Sequence, residues 1–130
     1  MPNPTAEYDG PPPLRIERQP ADQTLLVAWP DEALERVAPD SSTAVVVLTH
    51  DDKFDLPALK GALETEAFYI GALGSKKTHA ARQGRLARAG FSPEEIARVN
   101  GPVGLSIGAL SPAEIAVSIL AQITAIRRQA

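Results

Sequence analysis

Residues 44–75 read AVVVLTHDDKFDLPALKGALETEAFYIGALGS, and this stretch decides the fold. Ala44–Leu48 (AVVVL) is apolar throughout and rich in β-branched residues, the pattern of a strand covered on both faces. Thr49-His50-Asp51-Asp52 follows, and a helix is predicted over roughly 55–64. Ala67–Ile70 (AFYI) is another short apolar run, ending at the turn Gly71-Ala72-Leu73-Gly74-Ser75. A helix is predicted beyond it, over roughly 76–89, stopped by Gly90 as a left-handed C-cap. Strand, helix, strand, helix in this order means βαβ units, right-handed crossovers and a parallel sheet with helices on both faces.

The flanks extend the pattern. Leu25–Trp29 (LLVAW) is an apolar run, and Pro30-Asp31 opens a short helix carrying Leu34 and Val37. Leu14–Arg18 (LRIER) alternates apolar and polar residues, as a short half-buried strand does. Before it, residues 1–13 hold five of the 12 prolines, so 1–24 reads as a proline-rich tail and 25–130 as the folded domain. On the C-terminal side, Ser92-Pro93-Glu94-Glu95 and Ser111-Pro112-Ala113-Glu114 are both capping boxes with Pro at the first helical position. The second opens the longest helix, whose apolar stripe is Ile115, Ile119, Leu120, Ile123 and Ile126. Between the boxes, Pro102–Ala109 (PVGLSIGA) reads as a short strand punctuated by glycine.

Composition limits the function classes. The 130 residues carry 13 Lys and Arg against 16 Asp and Glu, and this acidic balance argues against general nucleic-acid binding. There is no cysteine, which removes disulfides, thiolate metal sites and a cysteine nucleophile. No apolar run reaches the roughly 18 residues of a membrane span, and MPNPTAEYDGPPP lacks the pattern of a secretory signal, so a cytoplasmic protein is expected.

In an open parallel sheet, ligands gather at the carboxyl ends of the strands. The Gly71–Ser75 turn leads into the basic start Lys76-Lys77-Thr78-His79. Glycines allow close backbone approach, and a helix N-terminus offers N–H groups to an anion. The turn fits neither G-x-x-x-x-G-K-[ST] nor G-x-G-x-x-G. Two readings stand: a phosphate cradle, or a tight turn before a solvated basic helix face continued by Arg82, Arg85 and Arg88. His50 beside Asp51 suits a base with an orienting partner. The plainer reading gives Asp51, Asp52 and Asp55 to turns and to the next helix start. Metal binding by the two histidines alone is not expected, and no serine sits in a nucleophile elbow. Glu114 reads first as a capping-box partner.

Taken together and in order, VVVLTHDDKFDL (45–56), FYIGALGSKKTHA (68–80) and GPVGLSIGALSPAEIAVSI (101–119), with VAWPDEAL (27–34) ahead of them, closely resemble the C-terminal Rossmann-like domain of the XdhC/CoxI family. The resemblance covers residues 25–130 and implies an accessory role without turnover of its own. Such a protein binds the molybdenum cofactor, protects it, and passes it to an apo molybdenum hydroxylase of the xanthine dehydrogenase type. It implies ligand-binding positions at Thr49, His50 and Asp51, at Gly71, Gly74, Ser75 and His79, and at Gly104, Gly108, Pro112 and Glu114. Lys76 and Lys77 are suited to the terminal phosphate of that cofactor.

The chain departs from the family where a first strand with a GAGHVA-type turn is usual, so the fold is expected to be incomplete at its first β-α unit. NAD(P) binding is therefore not carried over, and an NAD(P)-binding oxidoreductase-like domain stands only as an alternative, beside a truncated partner-binding module without ligand. Leu14–Arg18 is a candidate to fill the vacant strand position. An exposed strand edge there favours pairing with another chain, which leads to two expectations: a homodimer, and a separate N-terminal half as partner.

Overall fold

The computed structural model describes residues 15–18, 24–49 and 51–129. Its strands are β1 (Arg15–Arg18), β2 (Thr24–Val27), β3 (Ala44–Val47), β4 (Tyr69–Ala72) and β5 (Val99–Asn100). Its helices are α1 (Pro30–Val37), α2 (Asp52–Leu63), α3 (Lys76–Arg88), the single turn α4 (Pro93–Ile96) and α5 (Pro112–Arg128).

β3, β4 and β5 form a parallel sheet in that order, with Val45 opposite Ile70 and Ile70 opposite Val99. β4 is central and buried along its whole length. Successive side chains on a strand point to opposite faces. On one face Ile70 and Ala72 join Val47, Leu59, Leu63, Leu86 and Ile96, which brings α2, α3 and α4 onto that side. On the other, the Tyr69 hydroxyl donates to Gln122 Oε1 of α5 at 2.6 Å. Helices thus cover both faces of the sheet, as its apolar strands require.

β1 does not fill a strand position in this sheet. It pairs antiparallel with β2, Ile16 opposite Leu26, as a separate two-stranded ribbon. Only residues 19–23 separate the two strands, too few for the crossover that a parallel neighbour needs.

Three local differences from the sequence pattern have physical causes. α2 starts at Asp52 because the Asp51 side chain accepts from the Lys53 N–H at 3.0 Å. Pro57 lies six residues into this helix and removes the N–H that would otherwise have donated to the Lys53 carbonyl. β4 begins two residues later than the apolar run. Arg98 donates to the carbonyls of Leu63, Thr65 and Ala67, so the chain is still turning there.

The strand expected over Pro102–Ala109 is a loop instead. The last ladder residue is Asn100, Pro102 has no N–H to donate, and Gly104 and Gly108 adopt φ of +96° and +74°. This loop is nonetheless held. The Val103 N–H donates to Ala72 O, the Leu105 N–H to Ser118 O and the Gly104 N–H to Gln122 Oε1, all within 3.0 Å.

On α5 the face toward the sheet carries Ser118, which is buried, with Ile115, Ile119 and Gln122 half-buried. Leu120, expected in the apolar stripe, points outward and is 62% exposed. Serving the loop with Ser118 and Gln122 turns the helix about one residue away from its purely apolar orientation.

Leu59 is wholly buried between α2 and the sheet. Leu59→Ala is expected to lower unfolding free energy by about 2–5 kcal/mol, since the transfer loss and the cavity add; urea denaturation measures it.

Candidate ligand site

The loops after β4 and β5 enclose a cleft of about 370 Å³, lined by Leu73, Lys76, Val103, Gly104, Ile107 and Gly108 among others. The cleft lies at the carboxyl end of the sheet, where ligands are expected. Lys76 at the start of α3 lines it on one side, and Ile115 and Ser118 of α5 line it as well. Ser75 is the N-cap of α3: its Oγ accepts from the Thr78 N–H at 3.1 Å, and its carbonyl accepts from the His79 N–H. Among the described residues, the N–H groups of Lys76 and Lys77 have no acceptor. Orphan donors at a helix start, with the dipole behind them, favour an anion. A hollow of similar size between α1 and α2 is lined by Asp31, Glu35 and Glu64, charges that would repel one.

Beneath the cleft lies a buried ion pair. Arg82 of α3 and Asp55 of α2 are 2% and 1% exposed, and Arg82 Nη2 donates to Asp55 Oδ2. The same guanidinium donates to Leu73 O and, at 3.5 Å, to Thr49 O. One side chain therefore ties the loops after β3 and β4 to α2. One reading of the sequence put Arg82 on a solvated basic face, and its burial corrects that; Asp55 stands in the first turn of α2, as the plainer reading had it, but is buried there. The missed signal is spacing: His79, Arg82 and Leu86 share one face of α3, and Leu86 is core. Arg85, by contrast, is on the surface, 3.0 Å from an exposed Asp52.

The predicted site residues fall into distinct groups. Lys76 and Gly108 line the cleft, as does Gly104. Lys77 is exposed on the same turn, beyond the lining. Gly74, at φ +142°, supplies a backbone conformation that side chains disfavour, and a Cβ there would lie 3.1 Å from Arg82 Nη1. Gly71 is a packing residue: a Cβ would come within 2.5 Å of Val103 Cγ2 and 2.7 Å of the Tyr69 hydroxyl. Thr49 is exposed, and Asp51 caps α2. His50 lies outside the described residues. Pro112 occupies the first position of α5.

Glu114 is the capping-box partner of Ser111. One carboxylate oxygen accepts from the N–H groups of Leu110 and Ser111, and these bonds hold its carboxyl below the usual carboxylate range.

His79 is not among the residues that line the cleft. Its ring packs against Gly101, where any Cβ would overlap it. Burial, and then the nearby Arg82 charge, hold its pKa below the ordinary value. Its Nδ1, with Asp55 Oδ1 and Arg82 Nε, is buried without a partner among the described residues. On the far side of the sheet, burial pushes the Tyr69 hydroxyl up to about 12, so it stays protonated and donates to Gln122.

A parallel sheet with helices on both faces and a small cleft at its carboxyl end is the architecture of a Rossmann-type domain. The sequence profile described as the XdhC Rossmann domain matches residues 8–123, and this chain belongs to that family. It is 41% identical over 106 residues to a protein of Escherichia coli K12 named molybdenum cofactor insertion chaperone PaoD, covering 82% of this chain and 33% of PaoD. It is 37% identical over 109 residues to a Bacillus subtilis 168 protein named as a probable xanthine dehydrogenase subunit, covering 84% of this chain and 31% of that one. A crystal structure described as a xanthine dehydrogenase from Bacillus halodurans matches with TM-score 0.63 at 37% identity, over 79% of this chain and 29% of that one. The chain thus spans about a third of the length of these relatives.

Two outcomes follow from the buried groups. Asp55→Asn leaves Arg82 buried without its counter-charge and should cost about 3–5 kcal/mol, whereas Asp55→Leu with Arg82→Met should cost far less; chemical denaturation of both variants tests this. His79 protonates in the unfolded chain near its ordinary pKa of about 6.5 but only at lower pH when folded. Below about pH 7 the unfolded state therefore binds more protons, and stability falls as pH drops through that window. His79→Gln should flatten that part of the profile, read as the urea midpoint against pH.

Proposed function

We propose that this domain holds the molybdenum cofactor by its phosphate and serves its transfer into an apo molybdenum hydroxylase of the xanthine dehydrogenase type. The observation that carries the reading is the cleft itself. Lys76, the first residue of α3, lines it, the N–H groups of Lys76 and Lys77 have no acceptor among the described residues, and its volume of about 370 Å³ falls among small-ligand sites. A phosphate is the anion that such a helix start recognises, with the lysine as point charge. The names of the relatives support the cargo and the receiver: one is called a molybdenum cofactor insertion chaperone, another a probable xanthine dehydrogenase subunit.

Within this reading Lys76, Lys77 and the turn from Gly74 contact the phosphate, and Gly104 and Gly108 let the opposite loop approach the pterin. The family resemblance adds Thr49, His50 and Asp51, from the segment after β3, as further ligand contacts. Ser75 and Glu114 act by shaping the two helix starts, and Gly71 and His79 by packing. Ile107, on the cleft's edge and 55% exposed, offers an apolar lip for a receiving protein to cover. The setting for such work is the cytoplasm, with an N-terminal XdhC-type half as a further partner. Among the described residues, no helix is long and apolar enough to cross a membrane.

Titration with molybdopterin, followed by pterin fluorescence, tests the reading. Wild-type protein should bind, and Lys76→Ala with Lys77→Ala should weaken binding about tenfold or more, the range of a lost charge-assisted hydrogen bond. NADH should produce no comparable change. A wild-type protein that leaves pterin fluorescence unaltered at every concentration overturns the proposal.

A further inference from the structure

α5 has a second apolar face that the fold leaves uncovered. Val117 and Leu120 are 59% and 62% exposed, and with Ala121, Thr124 and Ala125 they line a shallow trough of about 530 Å³. Glu114, Val117, Ala121, Thr124 and Arg128 follow one another at alternating steps of three and four residues, so they form one straight seam. The seam is polar in sequence direction. Its N-terminal half carries the acid and the large side chains, Glu114, Val117 and Leu120. Its C-terminal half carries the small ones and the bases, Ala121, Thr124, Arg127 and Arg128.

We propose that this face binds a second copy of the chain, α5 against α5 in antiparallel orientation, about a two-fold axis passing between Leu120 and Ala121. That axis sets Leu120 on the partner's Ala121 and Val117 on the partner's Thr124, large against small in both halves. It brings Glu114 within reach of the partner's Arg127 and the partner's Arg128, twice by symmetry. Among the described residues neither Glu114 nor Arg128 makes an ion pair within the chain, and all three charged side chains are exposed. The Arg127 guanidinium, however, lies over its own Phe68 ring, and one Glu114 oxygen serves the α5 cap, so the principal pair is the other Glu114 oxygen with the partner's Arg128. Opposed helix dipoles add to the preference. A parallel pairing would stack Glu114 on its own copy and large residues on large, and is disfavoured on both counts. An isologous contact of this kind closes on itself and leaves the cleft at the strand ends accessible. One helix pair buries less than the roughly 1,200 Å² of a standard interface, so the dimer is concentration-dependent.

The absence of native cysteine makes the geometry directly testable. Two copies of residue 121 are offset by only about 1.5 Å along the paired helices, whereas two copies of residue 117 are offset by about 10.5 Å. Oxidation should therefore cross-link Ala121→Cys efficiently and Val117→Cys poorly, while Val117→Cys with Thr124→Cys should cross-link. Light scattering of the unmodified chain should show mass rising toward twice the monomer with concentration, and Leu120→Glu should abolish that rise. The inference is overturned if wild type stays monomeric at all concentrations, if Leu120→Glu dimerises as well as wild type, or if Val117→Cys cross-links as readily as Ala121→Cys.

Discussion

One buried guanidinium holds the working end of this domain together. Arg82 reaches from α3 to Asp55 on α2, to the carbonyl of Leu73 after β4 and toward that of Thr49 after β3. Parallel strands leave their carboxyl ends as loops with unsatisfied backbone carbonyls, and such groups are costly when buried. A forked, permanently charged donor satisfies two of them at once, and the Asp55 carboxylate offsets its charge. The arrangement is not optimal for stability, since Asp55 Oδ1 and Arg82 Nε lack partners among the described residues and buried ion pairs are weak stabilisers. What it achieves is a fixed relation between those two loops and α2, and Leu73, one of the tied residues, lines the cleft.

The opposite wall is built by a different device. The 101–111 segment has no ladder, yet it is tied to the sheet at Val103, to α5 at Leu105, and to Gln122 at Gly104. Gln122 Oε1 accepts from both the Gly104 N–H and the Tyr69 hydroxyl, so one carboxamide joins the central strand, the loop and the last helix. Glycine at position 71 lets Val103 settle over β4. The glycines of this region serve chain packing as much as ligand access, which redistributes the roles that a motif alone assigns them.

α5 shows how a single helix divides its surface. Its inner face is chosen by the polar groups that serve the loop, Ser118 and Gln122. That rotation leaves Val117 and Leu120 in solvent beside a run of small residues. The consequence is an exposed apolar seam facing away from the sheet.

The alternation of apolar runs with helix signals was enough to determine a parallel α/β sheet. The Ser-Pro-x-Glu boxes determined two helix starts, because capping and hydrophobic periodicity are local properties. The strings around THD, GALGSKK and IGALSPAEIA pointed to the family for the same reason: they are short, contiguous and ordered. The tertiary structure alone decided that Arg82 and Asp55 are buried partners rather than surface charges, that residues 102–109 form a pinned loop rather than a strand, and that β1 turns back on β2. It also decided that His79 packs against Gly101, and which side of α5 meets the sheet. Each of these depends on contacts between residues far apart in the chain. Burial, charge pairing and the supply of donors to stranded carbonyls are settled only when those residues meet.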